Sequence, residues 1–149
     1  MGKQELVELT TLCLVYRGGE VLLQNRVKND WRGYALPGGH VEPGESIVQA
    51  TIREMKEETG LTILQPQLCG VKQFPIENGR YLVFLFKTDK FTGELISSEE
   101  GEMKWIPLKD LEDYDTVSDL RQLLDVMLRD NLTEFQYILD GDDWIVKLY

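Results

Sequence analysis

Residues 80–88, RYLVFLFKT, carry apolar or aromatic side chains on both alternating sets: Tyr81, Val83 and Leu85 on one, Leu82, Phe84 and Phe86 on the other. Successive side chains of a strand point to opposite faces, so this strand has no face to leave in water. It needs a covering layer on each side, which points to a layered α/β domain. The rest of the chain supplies such layers. A helix is predicted from about Ser46 to Thr59, with Val48, Ile52, Met55 and Thr59 as its apolar stripe and Gly60 where a left-handed cap belongs. A second is predicted after Ser118 as N-cap, with Leu120, Leu123, Leu124, Met127 and Leu128 on one stripe.

Strand signals flank both helices. Residues 8–26 read as a hairpin turning at Gly18-Gly19, and residues 63–76 as a strand joined to the doubly apolar one through Asn78-Gly79. Residues 101–108 read as a shorter strand, and residues 135–149 as a hairpin around Asp140-Gly141 anchored by Trp144. Residues 27–46, punctuated by Pro37-Gly38-Gly39 and Pro43-Gly44, are loop-like. The order predicts an α/β domain with a mixed sheet between helices, spanning residues 1–149 without repeat or linker. Cys13 and Cys69 lie in apolar runs and read as reduced core thiols. No signal core and no run of roughly 18 apolar residues is present, so the expected compartment is the cytoplasm.

The predicted first helix also carries Glu54, Glu57 and Glu58 within an arc of roughly 100°. Like charges at these spacings cost about 0.2–0.5 kcal/mol per pair, and the helix C-terminus disfavours anions as well. One reading is a solvated acidic face balanced by Arg53 and Lys56. The other is an oxygen-rich site for a hard divalent cation, which removes both penalties and takes its remaining ligands from substrate phosphates. Overall charge favours a partner of the second kind. With 16 basic and 26 acidic residues and net charge −10, the chain would repel a nucleic-acid polymer or an anionic membrane surface, and an anionic substrate must meet a cation.

Gly39, five residues, Glu45, seven residues, then Arg53-Glu54-Met55-Lys56-Glu57-Glu58-Thr59-Gly60-Leu61 resembles the Nudix box of the Nudix hydrolases at every defined position. The signature spans 23 of 149 residues, and EVLLQNR, LPGG and EEGEMKWIPL resemble the MutT-type branch. The resemblance implies an α/β/α sandwich with a central mixed β-sheet. It also implies Mg2+-dependent hydrolysis, with Mn2+ able to substitute, of a nucleoside diphosphate linked to another group. MutT-type members hydrolyse nucleoside triphosphates such as 8-oxo-dGTP to monophosphate and pyrophosphate, by substitution at the β-phosphorus.

Carried over by position, Glu54, Glu57 and Glu58 are metal-binding carboxylates, Gly38 offers its carbonyl as a further ligand, and Glu54 is a candidate general base. Arg53 and Glu45 are implied to organise this cluster, Arg53 holding Glu57 and pairing with Glu45. A further carboxylate is expected from the loop of Glu99, Glu100 and Glu102, with alignment on Trp105 favouring Glu100; solvated loop residues are the alternative.

Arg26 matches a phosphate-contacting position, and the backbone of Gly38 and Gly39 lies against substrate. Tyr34 and Phe74, with Trp31 and Tyr81, are candidates to stack on a base; core or loop anchoring is the other reading of each. His40 is expected to bond backbone or face solvent rather than to act as acid or base. The expected partner is a small-molecule nucleotide, with a monomer and a homodimer both open. Hydrolysis of ADP-ribose, a nucleotide sugar or a dinucleoside polyphosphate stays open within the same chemistry. A non-catalytic nucleotide sensor and a calcium-bound structural helix are the readings outside it.

Overall fold

In a computed structural model, residues 2–28, 31–97, 99 and 101–149 are described. The elements run β1 (Leu6–Arg17), β2 (Glu20–Arg26), β3 (Gly33–Ala35), β4 (Gly38–His40), α1 (Ile47–Thr59), β5 (Leu61–Leu64), β6 (Gln67–Ile76) and β7 (Gly79–Thr88). They continue through β8 (Lys90–Gly93), β9 (Gly101–Pro107), α2 (Leu120–Leu128), β10 (Glu134–Asp140) and β11 (Asp143–Leu148). A 3₁₀ helix, Leu108–Asp113, follows β9.

The doubly apolar segment is β7, and it lies inside a nine-stranded sheet of order β11-β10-β6-β7-β1-β2-β3, with β4 added on β1 and β9 on β2. β1 runs parallel to β7 and β10 parallel to β6, while the other pairings in this sheet are antiparallel. The sheet is therefore mixed, as expected. Both faces of β7 are covered. Val83 and Leu85 join Leu14, Val21 and Leu23 beneath Leu120, Leu123, Leu124 and Met127 of α2. Phe86 joins Cys13, Val15 and Leu22 beneath Met55 of α1. The alternation of Cys13, Leu14 and Val15 along β1 thus divides one strand between two cores, each fully buried Leu or Met stabilising by about 1.5–3 kcal/mol.

Both helices form and bury most of the predicted stripes, each departing at one position. Ser46 caps α1 by accepting from the Gln49 N–H, and Gly60 closes it in the left-handed region at φ 81°. Its buried side chains are Ala50, Thr51, Met55 and Thr59, whereas Val48 is 40 % exposed. The small Ala50 and Thr51 let the helix approach the sheet closely: the Thr51 hydroxyl meets that of Thr11 on β1 and lies 2.9 Å from the Ile47 carbonyl. Met55 and Thr59 keep the predicted stripe, with Ile52 packed against the core, and only Val48 falls outside it. α2 starts one residue later than expected, after Asp119 in a left-handed conformation (φ 64°) rather than after Ser118. Val126 is buried in place of Leu128, which is 39 % exposed.

The Gly- and Pro-rich stretch contains two three-residue strands, β3 and β4, that the loop reading missed. β3 pairs with the preceding β2 and β4 with the more distant β1, and three residues are too few to show a strand period. Residues 63–76 are broken at Gln65 (φ 50°), so that β5 pairs with β8 in a separate two-stranded sheet while β6 enters the main one. Trp144 is half exposed, touching Phe74 and Tyr137 rather than anchoring in the core. Cys13 is buried and Cys69 half-buried, both free, with burial pushing their thiols up to about 12 and about 11. Among the described residues no helix is long and apolar enough to cross a membrane.

Candidate active site

Arg53 gathers the first part of the site. Its Nε donates to Glu45 Oε2 at 2.8 Å and its Nη2 to Glu45 Oε1 at 3.0 Å, a bidentate pair. Nη1 donates to Glu54 Oε1 at 2.9 Å and Glu57 Oε2 at 3.2 Å, and Nη2 also reaches the His40 carbonyl at 3.0 Å. One planar guanidinium therefore ties the turn before α1, the end of β4 and two carboxylates of the helix. Each feature has a local cause. Arg53 and Glu57 lie one helical turn apart, while Glu45 stands just before the N-cap, its carboxylate also accepting the Glu42 N–H at 3.0 Å. These hydrogen bonds hold the Glu45 carboxyl down to about 2 and the Arg53 guanidinium above its ordinary value.

Glu54 and Glu58 are directed toward the sheet side of the helix. The core face passes through Thr51, and at about 100° per residue this places Glu54 and Glu58 beside it rather than opposite. The Glu54 carboxylate occupies the space beside Gly39, where a Cβ would stand 2.3 Å from it. Partial burial raises the Glu54 carboxyl above its ordinary value, against the opposing pull of Arg53. Glu58 Oε2 accepts from the Gln24 amide of β2 at 3.2 Å. Gln24, 3 % exposed, is a site contact that sequence reasoning missed; its one signal is an amide inside the apolar run of β2.

Gly38 pairs with Leu12, and a Cβ there would lie 2.1 Å from the Thr11 carbonyl. Strand contact thus accounts for one glycine and the Glu54 carboxylate for the next. Arg26, at the end of β2, donates from Nε to the Trp31 carbonyl at 3.2 Å and lies 5.1 Å from the centre of that ring. Phe74 stacks on Tyr81 at 4.7 Å. Tyr34 stands apart from them, edge-on to Tyr114 at 5.4 Å. The His40 ring pairs with the Glu8 carboxylate at 2.6 Å, rather than with backbone, and its carbonyl is what serves Arg53. Glu99 and Glu102 are exposed, while Glu100 lies outside the described residues.

The donor set suits a hard divalent cation in kind, being carboxylate oxygens with one partly buried member whose charge lacks full compensation. In position, Glu54 and Glu57 turn to Arg53 and Glu58 to Gln24. Among the described residues no three acidic, histidine or cysteine side chains converge on a shared point fit for a metal. Of the three carboxylates, Glu57 is the most exposed, its side chain 57 % accessible while paired with Arg53.

Comparison with known proteins places this geometry in context. The chain matches the NUDIX domain over residues 7–127. It is 35% identical over 129 residues to the uncharacterized Nudix hydrolase YvcI of Bacillus subtilis, covering 83% of this chain and 80% of that protein. An ADP-ribose pyrophosphatase of Methanocaldococcus jannaschii is 36% identical over 92 residues, 60% of this chain and 54% of that one. An oxidized purine nucleoside triphosphate hydrolase of Danio rerio is 35% identical over 107 residues, 68% of this chain and 67% of that one. Among solved structures, the mutator MutT protein of Bacillus halodurans superposes with a TM-score of 0.77 at 28% identity, covering 95% of this chain and 97% of its own. By the domain match, these relatives and the shared fold, the chain belongs to the Nudix hydrolase superfamily, on its MutT-type branch.

Proposed function

We propose that this protein is a divalent-cation-dependent pyrophosphohydrolase acting on a nucleoside diphosphate linked to a further group, with nucleoside triphosphates, oxidised purine forms among them, as its preferred substrates. The observation that carries this reading is the Arg53 network. A single guanidinium holds Glu45, Glu54, Glu57 and the His40 carbonyl in register, beside the glycine against which the Glu54 carboxylate lies. Such fixed positioning serves chemistry that depends on orientation. It is more than a solvated acidic face needs.

Glu54, Glu57 and Glu58 would hold the ion. A bound Mg2+, or Mn2+ in its place, supplies charge neutralisation for the diphosphate and acidifies water. Glu54, partly buried and held by Arg53, is the candidate to take the proton of the attacking water. As the water oxygen bonds to phosphorus, the anhydride P–O bond breaks and the leaving phosphate departs with the electron pair. From a triphosphate the products are a nucleoside monophosphate and pyrophosphate. Arg53 is a positioning residue: it orients Glu54 and Glu57.

The test is turnover with Mg2+ against 8-oxo-dGTP, dGTP, dATP, ADP-ribose and diadenosine polyphosphates, with products resolved by chromatography. Pyrophosphate released from triphosphates is the expected result, and no turnover across the panel overturns the catalytic reading. The ADP-ribose pyrophosphatase relative favours a second substrate, and faster production of AMP and ribose 5-phosphate would replace the triphosphate with it.

A further inference from the structure

Lys72, on β6, is only 7 % exposed. Its Nζ lies 5.3 Å from the ring centre of Phe135, 5.4 Å from Tyr137, 5.7 Å from Trp31 and 5.9 Å from Phe74. Aromatic faces attract an ammonium but accept none of its protons in a full hydrogen bond. Among the described residues Lys72 donates no hydrogen bond and forms no ion pair, whereas no described side-chain nitrogen or oxygen is sealed from solvent without a partner. The tip of the ammonium therefore reaches an opening. Burial brings the Lys72 amine down to about 8, with Asp119 only partly opposing the shift. A mostly buried cation whose donors meet no protein acceptor among the described residues gains from a ligand that completes them.

The surroundings say what ligand. Trp31 is 45 % exposed, so its ring offers area, and Arg26 lies against the same ring. Phe74 stacks on Tyr81, Tyr81 meets the His40 ring edge-on at 6.3 Å, and the His40 carbonyl accepts from Arg53. The aromatic cage is thus joined through adjacent side chains to the catalytic helix. Flat apolar rings beside a donor-only tip match a flat heterocycle with acceptors on its edge. A 6-oxopurine offers O6 and N7 side by side, while a 6-aminopurine turns an amino donor toward the ammonium. A pyrimidine carbonyl also accepts, but one ring covers less of the aromatic surface.

We propose that Lys72 is the base-selecting residue of the site, donating to the O6 and N7 edge of a 6-oxopurine stacked against Trp31 and Phe74, and so disfavouring 6-aminopurine nucleotides. The assignment rests on the nucleotide-hydrolase reading above and names its substrate class. The test is calorimetric binding of α,β-methylene GTP and α,β-methylene ATP to the full chain and to Lys72→Met and Lys72→Gln. The native protein should bind the guanine analogue about 10- to 100-fold more tightly, as a hydrogen bond to a charged donor allows. Lys72→Met should bind the two alike, and Lys72→Gln, whose amide both donates and accepts, should shift toward the adenine analogue.

Equal binding of the two analogues by the native protein overturns the proposal whether or not the variants fold, and so does an unchanged ratio in Lys72→Met. Selective binding without hydrolysis of any nucleotide supports base selection and defeats the catalytic reading. Hydrolysis without base preference does the opposite.

Discussion

Two cations, Arg53 and Lys72, stand in opposite conditions. Arg53 is partly exposed and every guanidinium nitrogen is engaged, by three carboxylates and a carbonyl. Lys72 is buried, faces four rings and has no hydrogen bond among the described residues. A cation near the surface can collect several anions because water shares the cost of desolvation, and once saturated it becomes a rigid strut. A mostly buried cation with no acceptor among the described residues keeps its donors for whatever enters. The difference separates a residue that shapes the site from one that reads its ligand.

The largest effect should come from a carboxylate on the strut. Glu54→Gln is expected to lower kcat by about 10²- to 10⁴-fold with an unchanged circular dichroism spectrum, the range for losing a general base. Steady-state rates within twofold of the native protein would break the assignment of Glu54.

Stability against pH sharpens the other side. Lys72 has its folded pKa lowered from 10.5 to about 8, so its burial penalty is fully present below pH 8 and is relieved as pH rises to 10.5. Lys72→Met should accordingly be more stable than the native protein at pH 7, by on the order of 3 kcal/mol, and this advantage should shrink across that window. Urea unfolding of both proteins at several pH values measures it. A constant difference would mean that Lys72 is not buried as a charge.

Arg53→Lys keeps the charge and loses the fork. A point-like ammonium cannot serve Glu45, Glu54, Glu57 and a carbonyl together, so kcat/KM should fall about 10- to 100-fold. Full activity would reduce Arg53 to a surface ion pair.

The two adjacent glycines give the finest contrast. Gly38→Ala meets the Thr11 carbonyl at 2.1 Å and should cost about 1–3 kcal/mol of stability, read by thermal or urea unfolding. Gly39→Ala meets the movable Glu54 carboxylate at 2.3 Å and should spare stability while lowering kcat about tenfold, because the carboxylate is displaced. Equal stability losses would show that Gly39 serves the backbone alone.

Much of this was legible along the chain. The extent of α1, its Gly60 cap and the two-sided burial of β7 follow from residue type and period. So does the spacing of Arg53 to Glu57. The full width of the α1 core face was not, because Ala50 and Thr51 are buried through close approach to the sheet while bulkier Val48 stays exposed. Strands β3 and β4 were not, since three residues carry no usable period, and β4 pairs only with β1 from much earlier in the chain. Gln24 and Lys72 look like ordinary polar positions in strands until Glu58 and four distant rings close over them.

By itself, the order of residues determined that two helices and the longer strands form, where α1 begins and ends, and that three carboxylates share one stretch of helix. Those are properties of neighbours, set by covalent spacing and side-chain period. Only the tertiary structure decided that Glu54 lies against Gly39, that Arg53 holds Glu45, Glu54 and Glu57 together, and that Lys72 is surrounded by rings. Desolvation and close contact arise from residues far apart in the chain, and no local pattern carries them.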